Sequence, residues 1–369
     1  MKKQFTKTMA VILALIMLCA AMPLTAFAAT THKHPGYNWT TWDGKTTLYP
    51  GGYYCLEDDI VLSSTVLISG NISVYLCLNG YSITCEDTAF SIYSGSSLSI
   101  LDCTVIGKIE TTSNKTTIIN NGHLTISGGT IKSTGSTVYT GANAYTYVYG
   151  GRIKSSEGTA LYKAVTSYVG VYGGEVHGGS EAIGGPGKDS AGLGSLVIDG
   201  GTITTDSTYS CINLANGNLT INDGIINGGV YVHDAAGTTK ISGGTINSTN
   251  DGWVSISSNK ITITGGEINT ESISLYGNAN ISGGKFNYTR RALYYPTGCV
   301  LRGSDNVISG GDFSGCESVT IEGKTSVTGG TFNDIYVYDN SLHLSGSPVI
   351  ETLTITKPNS VSATNPTRP

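Results

Sequence analysis

Apolar residues return at two fixed distances from a glycine pair along most of this chain. Leu-Thr-Ile-Ser-Gly-Gly-Thr-Ile at 124–131 is one copy. Val-Ile-Asp-Gly-Gly-Thr-Ile (197–203), Ile-Thr-Ile-Thr-Gly-Gly-Glu-Ile (261–268) and Ile-Ser-Gly-Gly-Lys-Phe (281–286) are others. With the first glycine as position zero, zero falls at Gly80, Asp102, Gly128, Gly150, Gly173, Gly200, Asp223, Gly243, Gly265, Gly283, Gly310, Gly329 and Gly346. The spacing of 17 to 27 residues is a solenoid period. Position −2 is apolar in every copy, from Leu78, Ile100 and Ile126 to Val327 and Leu344. Position +3 is apolar too, from Ile83, Val105 and Ile131 to Phe313, Phe332 and Val349. Only 39% of the chain is hydrophobic, so two unbroken columns are a signal and not composition.

The two columns lie five residues apart. In a straight strand an odd offset puts side chains on opposite faces. Both can face one core only if the chain bends between them, and glycine bends without a Cβ clash. Each repeat is therefore expected to be strand, sharp turn at position zero, strand, and a return loop of variable length. Positive φ is expected at zero itself. The predicted fold is all-β, a single right-handed parallel β-helix of about 13–14 coils spanning 57–356, with Phe286, Phe313 and Phe332 as an aromatic ladder. A leucine-rich repeat would need several leucines and a helical return. A hexapeptide helix would need period six, and a propeller four strands per blade.

The ends read differently. Residues 1–28 have the form of a secretory signal, with Lys2, Lys3 and Lys7 before an apolar run and Ala26-Phe27-Ala28 as the cleavage site. Residues 29–56, with Trp39 and Trp42, are the expected N-terminal cap over the open end of the sheets. Residues 357–369, with Pro358, Pro366 and Pro369, read as a linker-like tail. The expected location is secreted, extracellular or cell-wall associated, with no membrane span once the signal is removed.

Charge narrows the partners. The chain carries −5 overall, and loss of three lysines with the signal would take it to −8. Nucleic acid is disfavoured, since phosphate contacts need clustered Lys and Arg. Seven cysteines remain after residue 28, and no C-x-x-C occurs. Cys55-Leu56 and Cys77-Leu78 are in repeat register, so those thiols should be neighbours on adjacent coils. Cys299 and Cys316 are also about one coil apart. Bridges and reduced apolar fillers both fit this pattern.

The repeat resembles the pectin-lyase-like superfamily, which includes pectate lyases, polygalacturonases, adhesins and phage tailspikes. That resemblance implies the fold over roughly residues 50–355 and leaves activity open. Of the polygalacturonase motifs, Arg152-Ile153-Lys154 is present, but in an ordinary repeat slot. Asp58-Asp59 lies far upstream, His123 stands in Gly-His-Leu, and Asn-Thr-Asp is missing. No acidic cluster aligns for a pectate-lyase calcium site. Gly184-Gly185-Pro186-Gly187-Lys188-Asp189 matches a calcium nonapeptide once, where that motif works in tandem. His32 and His34 read as polar residues near a new terminus. No motif calls for a cofactor or metal. The run Gly52-Tyr53-Tyr54-Cys55-Leu56, followed by Leu76-Cys77-Leu78-Asn79-Gly80, resembles the opening of repetitive cell-surface proteins from Gram-positive gut anaerobes. It implies an exported, adhesin-like β-helix and carries over no catalytic residue.

One surface feature stands out. Positions −5, −3 and −1 should point outward. On adjacent coils they hold Tyr145, Tyr147 and Tyr149, then Tyr168 and Tyr172. The expectation is one exposed patch on which sugar rings stack, since pyranose C–H faces pack on aromatic faces. A ladder that only stabilises the sheet is the other reading. The expected function is a non-catalytic glycan-binding or adhesin-like protein; the alternative is a lyase or glycoside hydrolase of the same fold.

Overall fold

The computed structural model describes residues 36–186, 194–208, 210–215, 217–248, 252–288, 298–338 and 342–355, without the side chains of 234–236. The expected signal, the first residues of the cap, His32, His34, the end of the nonapeptide match and the linker-like tail lie outside them. The chain divides into two units, Met1–Trp39 and Thr40–Pro369, and the fold described here belongs to the second.

It is an all-β parallel solenoid of about 13 turns with no helix among the described residues. The −2 column forms one continuous inner row. Ile100, Ile126, Val148, Val171, Ile198 and Ile221 pair in turn, as do Ile241, Ile263, Ile281, Ile308 and Val327. The +3 column forms a second row through Ile131, Ile153, Val176, Ile203, Ile226, Ile246 and Ile268. Phe286, Phe313 and Phe332 continue it as a stack, with ring centroids 4.3 and 4.9 Å apart and planes within 7°.

Three members of the columns depart from the expected register. Leu76, not Leu78, pairs with Ile100; Leu78 is buried two residues further on, at the turn. Ile109, not Val105, takes the slot between Ile83 and Ile131. Val105 is 80% exposed with φ 64°. The Asp102 carboxylate causes this by accepting from the backbone N–H of Gly80 at 2.8 Å and of Gly107 at 2.7 Å, which holds a wider turn open. On the last coil described, Ile350 rather than Val349 pairs with Phe332, and Leu344 and Val349 are exposed.

The return segment, expected as a loop of variable length, contains a third strand. Its inner row runs Val66, Phe90, Ile118, Val138, Leu161, Ile183, Ile212, Val230, Val254, Ile273, Cys299, Val319 and Ile335. Each coil is thus triangular, with three inner rows closing one core. Polar residues enter that core too, among them Thr146 on the first sheet, Ser133 and Ser155 on the second and a row on the third. Asn120, Thr140 and Lys163 stack inward there, and Asn120 Nδ2 donates to Tyr145 O at 2.8 Å and Thr146 Oγ1 at 3.0 Å.

The glycine pair works differently from the expectation. Positive φ falls mainly on the second glycine, as at Gly151, Gly174, Gly244 and Gly266, with φ of 76–87°. The first glycine is needed for space. A Cβ at Gly173 would meet Tyr149 O at 2.5 Å, and one at Gly265 would meet Ser242 O at 2.4 Å, both backbone atoms of the preceding coil. Gly174→Ala should therefore lower stability by about 1–2 kcal/mol from the left-handed backbone alone, read as a shifted urea midpoint. An unchanged midpoint would mean the turn relaxes to negative φ.

Trp42, in the expected cap, is buried, donates from Nε1 to Thr46 O at 3.0 Å and lies 6.1 Å from the Phe90 ring. Cys55, Cys77, Cys85, Cys211, Cys299 and Cys316 carry free thiols. Cys55 and Cys77 are register partners as expected, but the Cys77 Sγ faces Cys103 Sγ at 3.6 Å. Cys299 pairs with Val319, not Cys316; the register shifts along 312–318, and Cys316 stays buried with its Sγ donating to Phe286 O at 3.4 Å.

Candidate functional site

Strand parity places the tyrosines. Between them Thr146, Val148, Val169 and Val171 point inward and are fully buried. Thr146 is fixed from below, since its Oγ1 lies 2.7 Å from Thr140 Oγ1 as well as bonding Asn120. The outward side chains therefore project from a strand that cannot easily shift.

All five predicted residues are brought together. Tyr145 and Tyr149 are exposed, while Tyr147, Tyr168 and Tyr172 are half-buried because they lean on one another. Tyr149 and Tyr172 stack at 5.0 Å and 17°. Tyr145 and Tyr147 are 6.5 Å apart along the strand, and Tyr147 and Tyr149 6.4 Å, each pair within 14°. Tyr168 is tilted by 32° to Tyr145 and 43° to Tyr147. The tilt follows from Gly170, which opposes Tyr147 and has no side chain. Tyr168 and Tyr172 close over that gap, with hydroxyl oxygens 2.7 Å apart. A Cβ at Gly170 would strike the Tyr172 ring at 2.5 Å.

A sixth ring was missed. His123 stacks on Tyr145 at 4.7 Å and 3°. It occupies −5 before Gly128, the same slot as Tyr145 before Gly150, so the signal was present in the register.

The orientation of the rings changes what the patch can do. Stacks at 4.7–5.0 Å follow the inter-coil spacing, so ring faces cover each other along the solenoid axis. Edges and hydroxyls form most of the outer surface, rather than the flat faces expected from the sequence. Open faces remain at the margins, where His123 pairs with Ser97 and Tyr168 with Ser195. Burial, and then the Tyr172 hydroxyl, holds the Tyr168 phenol protonated well above the usual tyrosine range. Tyr147 is raised as well, first by burial and then by the neighbouring phenols. The Tyr147 and Tyr168 phenols thus present neutral hydroxyl donors and acceptors on an aromatic base.

Two acidic groups of the adjoining sheet, Glu175 and Glu110, are matched to cations. Glu175 accepts from Arg152 Nε and Nη2, both at 2.8 Å. Glu110 accepts from Lys132 at 2.8 Å and Lys108 at 3.2 Å, and the Lys132 bond chiefly lowers its pKa. Among the described residues no group of three or more His, Cys, Asp or Glu is placed to hold a metal ion, and no helix is long and apolar enough to cross a membrane. No protein-family model, curated protein or solved structure matches the chain.

Proposed function

We propose that this chain is a secreted or cell-surface, adhesin-like β-solenoid that binds glycans on its tyrosine face without transforming them. The observation that supports this reading is the contiguous array of Tyr145, Tyr147, Tyr149, Tyr168, Tyr172 and His123 on a rigid sheet, with its rims open to solvent. A purely structural ladder needs only cross-coil stacking. Here the rings also continue along the strand, which widens the array into a surface. A sugar chain would lie across the ring edges, exchange hydroxyl hydrogen bonds with the phenols, and place a pyranose against an open margin face. Glu110 and Glu175, each paired with a cation, are not the two free carboxylates that the hydrolase alternative needs across one bond.

The test is glycan-array binding by wild type and the Tyr149→Ala/Tyr172→Ala double variant. At about 1 kcal/mol per ring the double variant should bind roughly thirtyfold more weakly, with its melting transition retained. Equal binding by both proteins would leave the tyrosines as a structural ladder. Release of unsaturated or reducing sugars by wild type would support the enzyme instead.

A further inference from the structure

The second outward surface of interest is a notch, one sheet away from the tyrosines. Its origin is a mismatch in loop length. The coil leaving Thr204 takes residues 205–211 to reach Ile212, whereas the next coil goes from Asn227 through Gly228 and Gly229 directly to Val230. The short turn leaves a gap beside the long loop. The gap has a volume of about 380 Å³ and is bordered by Thr205, Asp206, Thr208, Asn227, Gly228 and Asn247. Gly228 is tied to this shape. Its φ is 142°, and a Cβ there would meet Cys211 Cβ at 2.7 Å.

Two exposed polar groups at the notch are each tied on one side and retain free valence. The first is the amide of Asn227, which ends an asparagine ladder. Asn287 donates to Asn269 at 2.7 Å, Asn269 to Asn247 at 2.9 Å, and Asn247 to Asn227 Oδ1 at 3.0 Å. The amides of Asn287, Asn269 and Asn247 each donate toward the preceding coil. The next residue in the row is Thr204, whose hydroxyl bonds His177 Nδ1 at 2.8 Å. Asn227 Nδ2 thus has no acceptor among the described residues. The second group is Asp206. Its Oδ2 lies 3.2 Å from His177 Nε2, its backbone N–H donates to Gly178 O at 2.9 Å, and its Oδ1 is open.

We infer that this notch is a second binding site, for a single uncharged pyranose unit with two adjacent free hydroxyls. One hydroxyl donates to Asp206 Oδ1 and its neighbour accepts from Asn227 Nδ2. An acceptor and a donor lining one gap match a vicinal diol, which offers both. The size suits one ring, and the carboxylate at the rim repels uronates and sulfated sugars. The inference rests on the carbohydrate reading above but shares none of its residues. The tyrosine array would hold the span of a chain and the notch one exposed unit.

The test is saturation-transfer NMR with methyl glycosides of glucose, galactose, mannose, N-acetylglucosamine and galacturonic acid. The proteins are wild type, Asp206→Ala, Asn227→Ala and the tyrosine double variant, each checked for its folded spectrum. At least one neutral glycoside should give transfer to wild type and to the tyrosine double variant. It should lose that signal in both notch variants, while the galacturonide gives none. The inference is overturned if no neutral glycoside responds, if the signal survives in Asp206→Ala and Asn227→Ala, or if only the tyrosine variant loses it. The last outcome leaves the tyrosine reading standing, and loss of array binding alone leaves the notch standing.

Discussion

Ile221→Asp is expected to break the solenoid at its middle. Ile221 is fully buried and pairs with Ile198 on one side and Ile241 on the other. An aspartate there would face only aliphatic neighbours in the inner row. It must either carry an unpaired charge or be protonated at a large cost. The loss should exceed about 4 kcal/mol. Coils contact only their neighbours, so damage should be local before it is global. Hydrogen exchange should show lost protection over roughly 196–263, with slower exchange kept around Ile100 and Ile126. Protection unchanged across the whole chain would mean that the inner row at Ile221 is not core.

The second large effect is a gain. Lys163 is 2% exposed, and its described partners are two backbone carbonyls, Ala164 O at 3.3 Å and Val165 O at 3.4 Å. Burial pulls its pKa down to about 8. The unfolded chain binds this proton up to about pH 10.5 and the folded chain releases it near 8. Stability from this site is therefore lowest below pH 8, rises between about 8 and 10.5, and then levels off. The full swing is about 3 kcal/mol. Lys163→Met removes the buried ammonium and keeps the length of the side chain. It should be more stable than wild type by about 3 kcal/mol near neutral pH, with the gap closing as pH rises.

Buried thiols act in the opposite direction, which is why the comparison must be between variants. Burial pushes Cys77 and Cys316 up to about 12, so the unfolded chain ionises first, from about 9, and both proteins weaken above that pH. Urea midpoints of both proteins at neutral pH and at about pH 9.5 separate the contributions. A pH-independent difference, or a less stable Met variant, would show that the ammonium is satisfied in the fold.

The sequence determined whatever keeps a constant distance from the glycine pair. The −2 and +3 rows were legible because strand, turn and strand have fixed length, so burial repeats at a fixed offset. The tyrosines were legible for the same reason, since outward parity along that strand follows from inward Val148 and Val171. Where an extra bond widened the turn, as Asp102 does, the register gave the wrong residue, and Ile109 replaced Val105. The third strand was hidden because its distance from the turn varies. It arrives six residues past Gly329 at Ile335 but sixteen past Gly283 at Cys299, so no column forms. Tertiary structure alone decided how neighbours meet across coils. Stacking at the inter-coil spacing turned the ring faces inward on one another, Gly170 let Tyr168 tilt, and a short turn beside a long loop opened the notch at Asp206 and Asn227. These features depend on which loop lies next to which, and stacking of coils sets that, not the order of residues within any one repeat.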